Sequence, residues 1–193
     1  MFVGLLLDEK QEQGIILMGI FLEDSYRLIA RRKIDAIRIF RDLGYRYVFY
    51  LRMCQKGGAW KAIFVIPRKH LSRSCGLEIS PNTNIGPGLY IGHPYGITIN
   101  TGSVLGKNVN IHKGCTIGQE NRGKRKGAPT IGNCVSIGIN ATIVGSISVG
   151  DDVLIAANSF VNCDIPSHSI VLGNPCIVIP KINATESYII NRV

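Results

Sequence analysis

The sequence predicts a mainly β protein, a parallel β-helix with an N-terminal α-helical cap. Three observations predict it. First, an aliphatic residue recurs every six positions from Ile79 to Val161. It stands at Ile79, Ile85, Ile91 and Ile97, then after a two-residue slip at Ile99, Leu105, Ile111 and Ile117. After an interruption it returns at Ile131, Ile137, Ile143, Val149, Ile155 and Val161. Second, glycine often follows, at Gly86, Gly92, Gly106, Gly118, Gly132, Gly138 and Gly150. Third, a small or aliphatic residue lies four places on, at Val109, Cys115, Val135, Ala141, Ile147, Val153 and Ser159. A helix would repeat near 3.6 and a half-buried strand at 2. A six-residue period is one short strand plus a turn of a parallel β-helix. Three hexads close a triangular coil, so the stretch holds roughly five coils. Stiff branched side chains suit the narrow interior. Glycine and asparagine (Asn84, Asn108, Asn133, Asn140) suit the corners.

The elements before the repeat read as helices. Two apolar patches, Phe2–Leu7 and Ile15–Leu22, flank a Gln-rich acidic middle. Asp24-Ser25 has the form of an N-cap, opening a helix over about 25–42 with Leu28, Ile29, Ile34, Ile37, Ile39 and Phe40 as its stripe. A second helix is predicted from Tyr45 to Gln55. A third segment, Ala59 to Leu71, is interrupted by Pro67. Solenoids need capped ends, because the last coil otherwise exposes apolar surface and strand edges. Residues 1–76 are therefore assigned to the helical region and 77–181 to the β-helix. Residues 118–130 project as a basic loop, and 182–193 form a tail.

The chain has 193 residues and a formal charge of +9. Residues 1–74 carry 14 Lys and Arg against 7 Asp and Glu; Arg122, Lys124, Arg125 and Lys126 add to this in the loop. No zinc-finger, RRM or helix-turn-helix pattern accompanies the charge, so nucleic acid is not the expected partner. A phosphate-bearing small ligand beside the loop accounts for it. A second reading has the basic, aromatic N-terminal helices in peripheral contact with a membrane surface. The six cysteines form no CxxC pair, and no His/Cys cluster has zinc spacing, so no metal is expected. Cys115 and Cys134 fall on the repeat lattice as small apolar residues. MFVGLLLDEK lacks a basic start, and no segment has the roughly 18 apolar residues of a spanning helix, so a cytoplasmic location is expected.

The runs LEISPNTNIGPGLYIGHPYGITIN, IGNCVSIGINATIVGSISVGDDVLIAANS and LGNP resemble, in order and from about Leu77 to Lys181, the serine acetyltransferases. More widely they resemble the left-handed parallel β-helix hexapeptide acyltransferases. The resemblance implies the left hand, a homotrimer, and acetyl-CoA as donor, bound in grooves between subunits. It makes His93 the general base. Imidazole, with a reference pKa near 6.5, can take a hydroxyl proton at neutral pH. It makes Glu78 the carboxylate that orients His93, with fifteen residues between them against a coil of eighteen. It places the donor along Gly118, Ile139, Ala157 and the turn Leu172, Gly173, Asn174. Lys181 and the basic loop face the phosphates. His112 is expected outward, with a lesser claim to the cleft; His168 is expected to be structural and His70 solvated.

Two departures bear on the acceptor. Gly92 stands where serine acetyltransferases carry Asp, and Gly127-Ala128 where they carry Arg-His, the groups that hold the amino acid's ammonium and carboxylate. Buried charges without partners are costly. The expectation is therefore an O-acetyltransferase acting on an uncharged sugar or polysaccharide-precursor hydroxyl, with Tyr95, Gly92 and Ala128 lining the acceptor site. The ending Ile189-Ile190-Asn191-Arg192-Val193, which lacks the family's terminal isoleucine, points the same way. The alternative is a serine O-acetyltransferase of cysteine biosynthesis. A β-helix scaffold without catalysis is a third reading, opposed by His93 and Glu78.

Overall fold

The computed structural model describes residues 9–193, with side chains from residue 18 onward; the predicted patch Phe2–Leu7 lies outside the described residues. Four helices precede the strands: α1 (Glu9–Ile29), α2 (Ala36–Arg41), α3 (Leu43–Lys56) and α4 (Gly58–Cys75). The helix expected over 25–42 is thus two. Asp24-Ser25 lies inside α1 and caps nothing. Both residues are buried, Asp24 in an ion pair with Arg52 at 2.8 Å. The break follows Ala30, at φ +53°. The Ser25 hydroxyl donates to the Lys33 carbonyl across it, and Asp35 then caps α2 by accepting from the Arg38 N–H at 3.0 Å. Helix α4 runs through Pro67 instead of stopping there. Proline removes one donor, and Ile63, four residues back, is exposed, so its orphaned carbonyl lies on the solvent side of the helix. Among the described residues no helix is long and apolar enough to cross a membrane.

Fifteen short strands follow, coil by coil. They are β1 (Glu78–Ile79), β2 (Asn84–Ile85), β3 (Tyr90–Gly92); β4 (Thr98–Ile99), β5 (Val104–Leu105), β6 (Asn110–His112); β7 (Thr116–Gly118), β8 (Thr130–Ile131), β9 (Val135–Ile137); β10 (Thr142–Val144), β11 (Ser148–Val149), β12 (Val153–Ile155); β13 (Phe160–Val161), β14 (Ser169–Leu172) and β15 (Ile177–Pro180). Each strand from β1 to β10 pairs in parallel with the one three places on, and β12 pairs in parallel with β14. β1-β4-β7-β10-β13 make the first face, β2-β5-β8-β11 the second and β3-β6-β9-β12-β14 the third; β15 closes the third face antiparallel. This is the parallel β-solenoid of about five turns that the period predicts. The hexad residues Ile85, Ile91, Leu105, Ile111, Ile137, Ile143 and Ile155 are all buried, as are Val109, Cys115, Val135, Ala141 and Val153. Each buried aliphatic side chain contributes about 1.5–3 kcal/mol relative to exposure, so one periodic pattern stabilises the whole stack.

The corners have their own period. Between the second and third faces, Gly88, Asn108, Cys134, Asp152 and His168 all have positive φ. Between the third and first faces, Gly96, Gly114, Asn140, Asn158 and Gly173 do. Cys134 is therefore a half-buried corner residue, not an interior one.

The helices close the open end of the first coil. Arg52, almost fully buried, donates to the carbonyls of Ile85 and Gly86 at 2.8 and 2.7 Å while pairing with Asp24. Asp24 in turn accepts from the Leu89 N–H at 2.8 Å. At the other end the tail, residues 182–193, folds back along the corner between the second and third faces. Asn108 exchanges two hydrogen bonds with Val193 at 2.8 and 2.9 Å, and Asn110 donates to the Tyr188 carbonyl at 2.8 Å.

Candidate active site

The phase slip in the hexad pattern is the structural origin of the site. Twenty residues separate Glu78 from its register partner Thr98, but eighteen separate Thr98 from Thr116. The two extra residues enlarge the corner His93–Gly96 between β3 and β4. His93 there takes φ +55°, uncommon for a residue with a side chain. Its carbonyl accepts the Tyr95 N–H at 2.8 Å, which tightens the turn.

Below this corner the later ones stack in line. Gly114 N–H donates to the Tyr95 carbonyl (2.9 Å), Asn140 to Lys113 (3.0 Å), Asn158 to Ile139 (2.8 Å) and Phe160 to Gly173 (3.0 Å). The edge that begins at His93 thus continues through Ile139 and Ala157 to the turn Leu172–Asn174, five of the positions assigned to the donor. Ala157, Leu172, Gly173 and Asn174 are exposed. The remaining assigned positions lie elsewhere within the chain. Gly118 lies on the first face, on β7. Lys181 stands at another edge, its N–H on the His168 carbonyl at 2.7 Å. Ala128 packs near Gly102, at the corner between the first and second faces, away from His93. The basic loop does not project freely: Glu120 and Gly127 form an antiparallel bridge, and the Ser146 N–H donates to the Arg125 carbonyl at 2.8 Å.

Gly92 has a packing reason. A Cβ there would lie 2.7 Å from Nδ1 of His112, its neighbour on the next coil. The imidazole of His112 occupies the space an acidic side chain at 92 would need. Burial, and then the charge of His93, hold His112 below the ordinary imidazole pKa, so it favours the neutral form. His112 is half-buried, packed against Gly92 and edge-on to Tyr90, and is not among the residues that line the cavity at His93. His168 is structural, as expected, and is bound to Asp152 at 2.9 Å.

No hydrogen bond joins Glu78 to His93. Glu78 faces a neighbouring cleft with Arg68, Thr98 and Asn100, and the Thr98 hydroxyl reaches it at 3.5 Å. The backbone still brings the two close. The Gly96 N–H donates to the Cys75 carbonyl at 2.8 Å, so the His93 corner touches the segment that leads into Glu78.

The largest surprise is what covers His93. A cavity of about 650 Å³ is lined by His93, Pro94 and Tyr95 on one side and by Asp35, Arg38, Arg41 and Asp42 on the other. Gly44 seats this wall. A Cβ there would collide with the Ile91 carbonyl oxygen, so only glycine lets the start of α3, and α2 before it, approach β3 this closely. Asp35 and Asp42 each cap a helix with one oxygen, accepting from the Arg38 and Tyr45 N–H groups. Charged side chains, absent at positions 92, 127 and 128, thus stand beside His93 from the helical region, whose fold over the corner no repeat pattern announces. Local signals existed: both aspartates have N-cap form, and Arg38 and Arg41 are spaced to share a helix face.

No family model matches the chain. A serine acetyltransferase of Helicobacter pylori is 42% identical over 106 residues, which are 55% of this chain and 62% of the relative. One from Synechococcus elongatus is 36% identical over 137 residues, 68% of this chain and 56% of the relative. The chain thus spans less than two thirds of the curated relatives it matches. The crystal structure of Neisseria gonorrhoeae serine acetyltransferase in complex with serine superposes with a TM-score of 0.69 at 26% identity. It covers 88% of this chain and 70% of that one, so the likeness extends into the helical region. These findings overturn the sugar acceptor: the relatives are serine acetyltransferases, and charged side chains of α2 and its flanks line the cavity at His93. By sequence over its solenoid and by fold over most of its length, the chain is similar to the serine acetyltransferases, which share the hexapeptide-repeat β-helix.

Proposed function

We propose that the chain is a serine O-acetyltransferase that transfers acetyl from acetyl-CoA to the serine hydroxyl. One observation carries the reading beyond likeness. His93 shares a single cavity with two carboxylates and two guanidiniums, a charge pattern complementary to a zwitterion and wasted on a neutral sugar. A ring nitrogen of His93 takes the proton from the serine hydroxyl as the oxygen becomes a nucleophile. Asp35 and Asp42 offer their second carboxylate oxygens to the ammonium. Tyr95, more than half exposed, stands at the mouth.

Acetyl-CoA, when bound, supplies an activated thioester. The edge below His93 suits its thin arm: Ala157 carries one methyl and Gly173 no side chain, so a ligand can lie against backbone. Ile139, Leu172 and Asn174 border the same path. Lys181, Gly118, Ala128 and the loop cations stand on other edges or faces, so they reach donor or acceptor only from a neighbouring chain. That fits the homotrimer with intersubunit sites, which we also propose. Glu78 keeps its assignment as a positioning residue for His93, acting across the short backbone link through Cys75.

The test is turnover of acetyl-CoA by the purified protein with L-serine, with a sugar panel and with buffer alone. O-acetylserine identified by mass spectrometry is the expected product. Thiol release that is independent of serine sinks the reading.

A further inference from the structure

The serine reading leaves the acceptor's carboxylate without an assigned partner, and the cavity offers one. We propose that Arg38 and Arg41 bind that carboxylate and so set a preference for the free amino acid over uncharged derivatives; this rests on the serine reading above. Their spacing of three puts both guanidiniums on one side of α2. Both line the cavity opposite His93. Among the described residues neither is in an ion pair; the pairs formed are Arg32 with Glu23, Arg52 with Asp24 and His168 with Asp152. The two aspartates beside them spend one oxygen each on helix capping and do not neutralise them. No other cationic side chain lines the cavity, and His93 is needed for the hydroxyl. The loop cations cannot substitute within the chain, because Arg125 is tied by its backbone to Ser146 at a different corner.

The geometry is also held in place. Asp35 caps the start of α2, Asp42 caps α3 directly after it, and Gly44 presses that junction against Ile91. Paired guanidiniums on a seated helix can grip a carboxylate in two-pronged fashion, which a flexible ammonium cannot. Neither arginine side chain makes a hydrogen bond to the protein among the described residues, so replacing them removes charge without unpinning α2.

The experiment compares Arg38→Gln, Arg41→Gln and the double variant with the parent protein. L-serine is set against L-serinamide, which keeps amine and hydroxyl but lacks the carboxylate. The parent protein should favour L-serine in kcat/KM by about 10–100-fold, the usual worth of charge-assisted bonds. The double variant should raise KM for L-serine by about the same factor. It should change kcat and the KM for acetyl-CoA far less, and lose the preference; lysine at both positions should restore part of it. A double variant that still prefers L-serine, or that loses both substrates equally, overturns the arginine assignment while leaving the serine reading standing. A parent protein that acetylates neither compound overturns both.

Discussion

Two edges of the solenoid are built alike and end up as opposites. Both turn on a left-handed residue once per coil, and both satisfy their corner amides by bonding to the coil next to them. The edge between the second and third faces is sealed. The tail lies on it, with Ile189 buried, and Asp152 accepts from Thr185 N–H and Oγ1 at 3.0 and 2.7 Å and from Ala184 N–H at 3.1 Å. The edge between the third and first faces stays open below a roof made by α2. The repeat therefore supplies a surface, and what the flanking segments cover decides which edge can hold a ligand. Polar groups on the sealed edge stabilise the fold; polar groups on the open edge are free for chemistry.

This contrast makes separable predictions. The largest effect belongs to His93→Ala, which should lower kcat by about two to four orders of magnitude, the usual contribution of a positioned general base. Its melting temperature should hardly change, since the His93 ring makes no hydrogen bond to the protein. A variant with near-parental turnover would move the base to His112.

On the sealed edge, Asp152→Asn should cost about 2 kcal/mol of stability at neutral pH, through weaker bonds to the tail, and should leave kcat intact. Burial raises the carboxyl's pKa, but hydrogen bonds from His168, Thr185 and Ala184 outweigh this and hold it at about 2, against 3.8 for the free group. The folded pKa lies below the unfolded one, so the unfolded chain takes up the proton first. The stability from Asp152 is therefore complete above 3.8 and is lost as pH falls toward about 2. Denaturant melts of both proteins across this range should converge at the acid end. A constant gap would show that the charge contributes nothing.

On the open edge, Ala157→Trp should raise the KM for acetyl-CoA about tenfold, equivalent to ~1.4 kcal/mol, with the melting temperature unchanged. An unaltered KM would remove the donor from this edge. Glu78→Gln should have the smallest effect, roughly tenfold or less on kcat, because no direct bond to His93 exists to be lost. A loss as large as that of His93→Ala would mean that the two groups meet during turnover.

The solenoid was legible because a repeat states the same physical requirement many times. Ile111, Ile137 and Ile155 each face the same narrow interior, so register errors cannot accumulate. The helical region had no such redundancy. Asp24-Ser25 has the local form of a cap, but Asp24 is buried mid-helix, because the distant Arg52 stabilises a carboxylate there better than a helix start would. Glu78, placed by resemblance, was harder still: it has no hydrogen bond to His93 and instead accepts from the Thr98 hydroxyl, its register neighbour on the next coil.

The sequence by itself determined the interior of the stack, the glycine and asparagine corners, and the position of His93 at the slip in phase. It could not determine the acceptor. The proposed acceptor site uses charges at Asp35, Arg38, Arg41 and Asp42, which lie more than fifty residues from His93 in the chain and share its cavity only through the fold. Only the tertiary structure brings them together, through the ion pair at Arg52 and the close approach at Gly44. Periodicity reports what each coil must bury. It is silent on which distant segment will roof an open corner, because that depends on a few long-range contacts that leave no repeating mark.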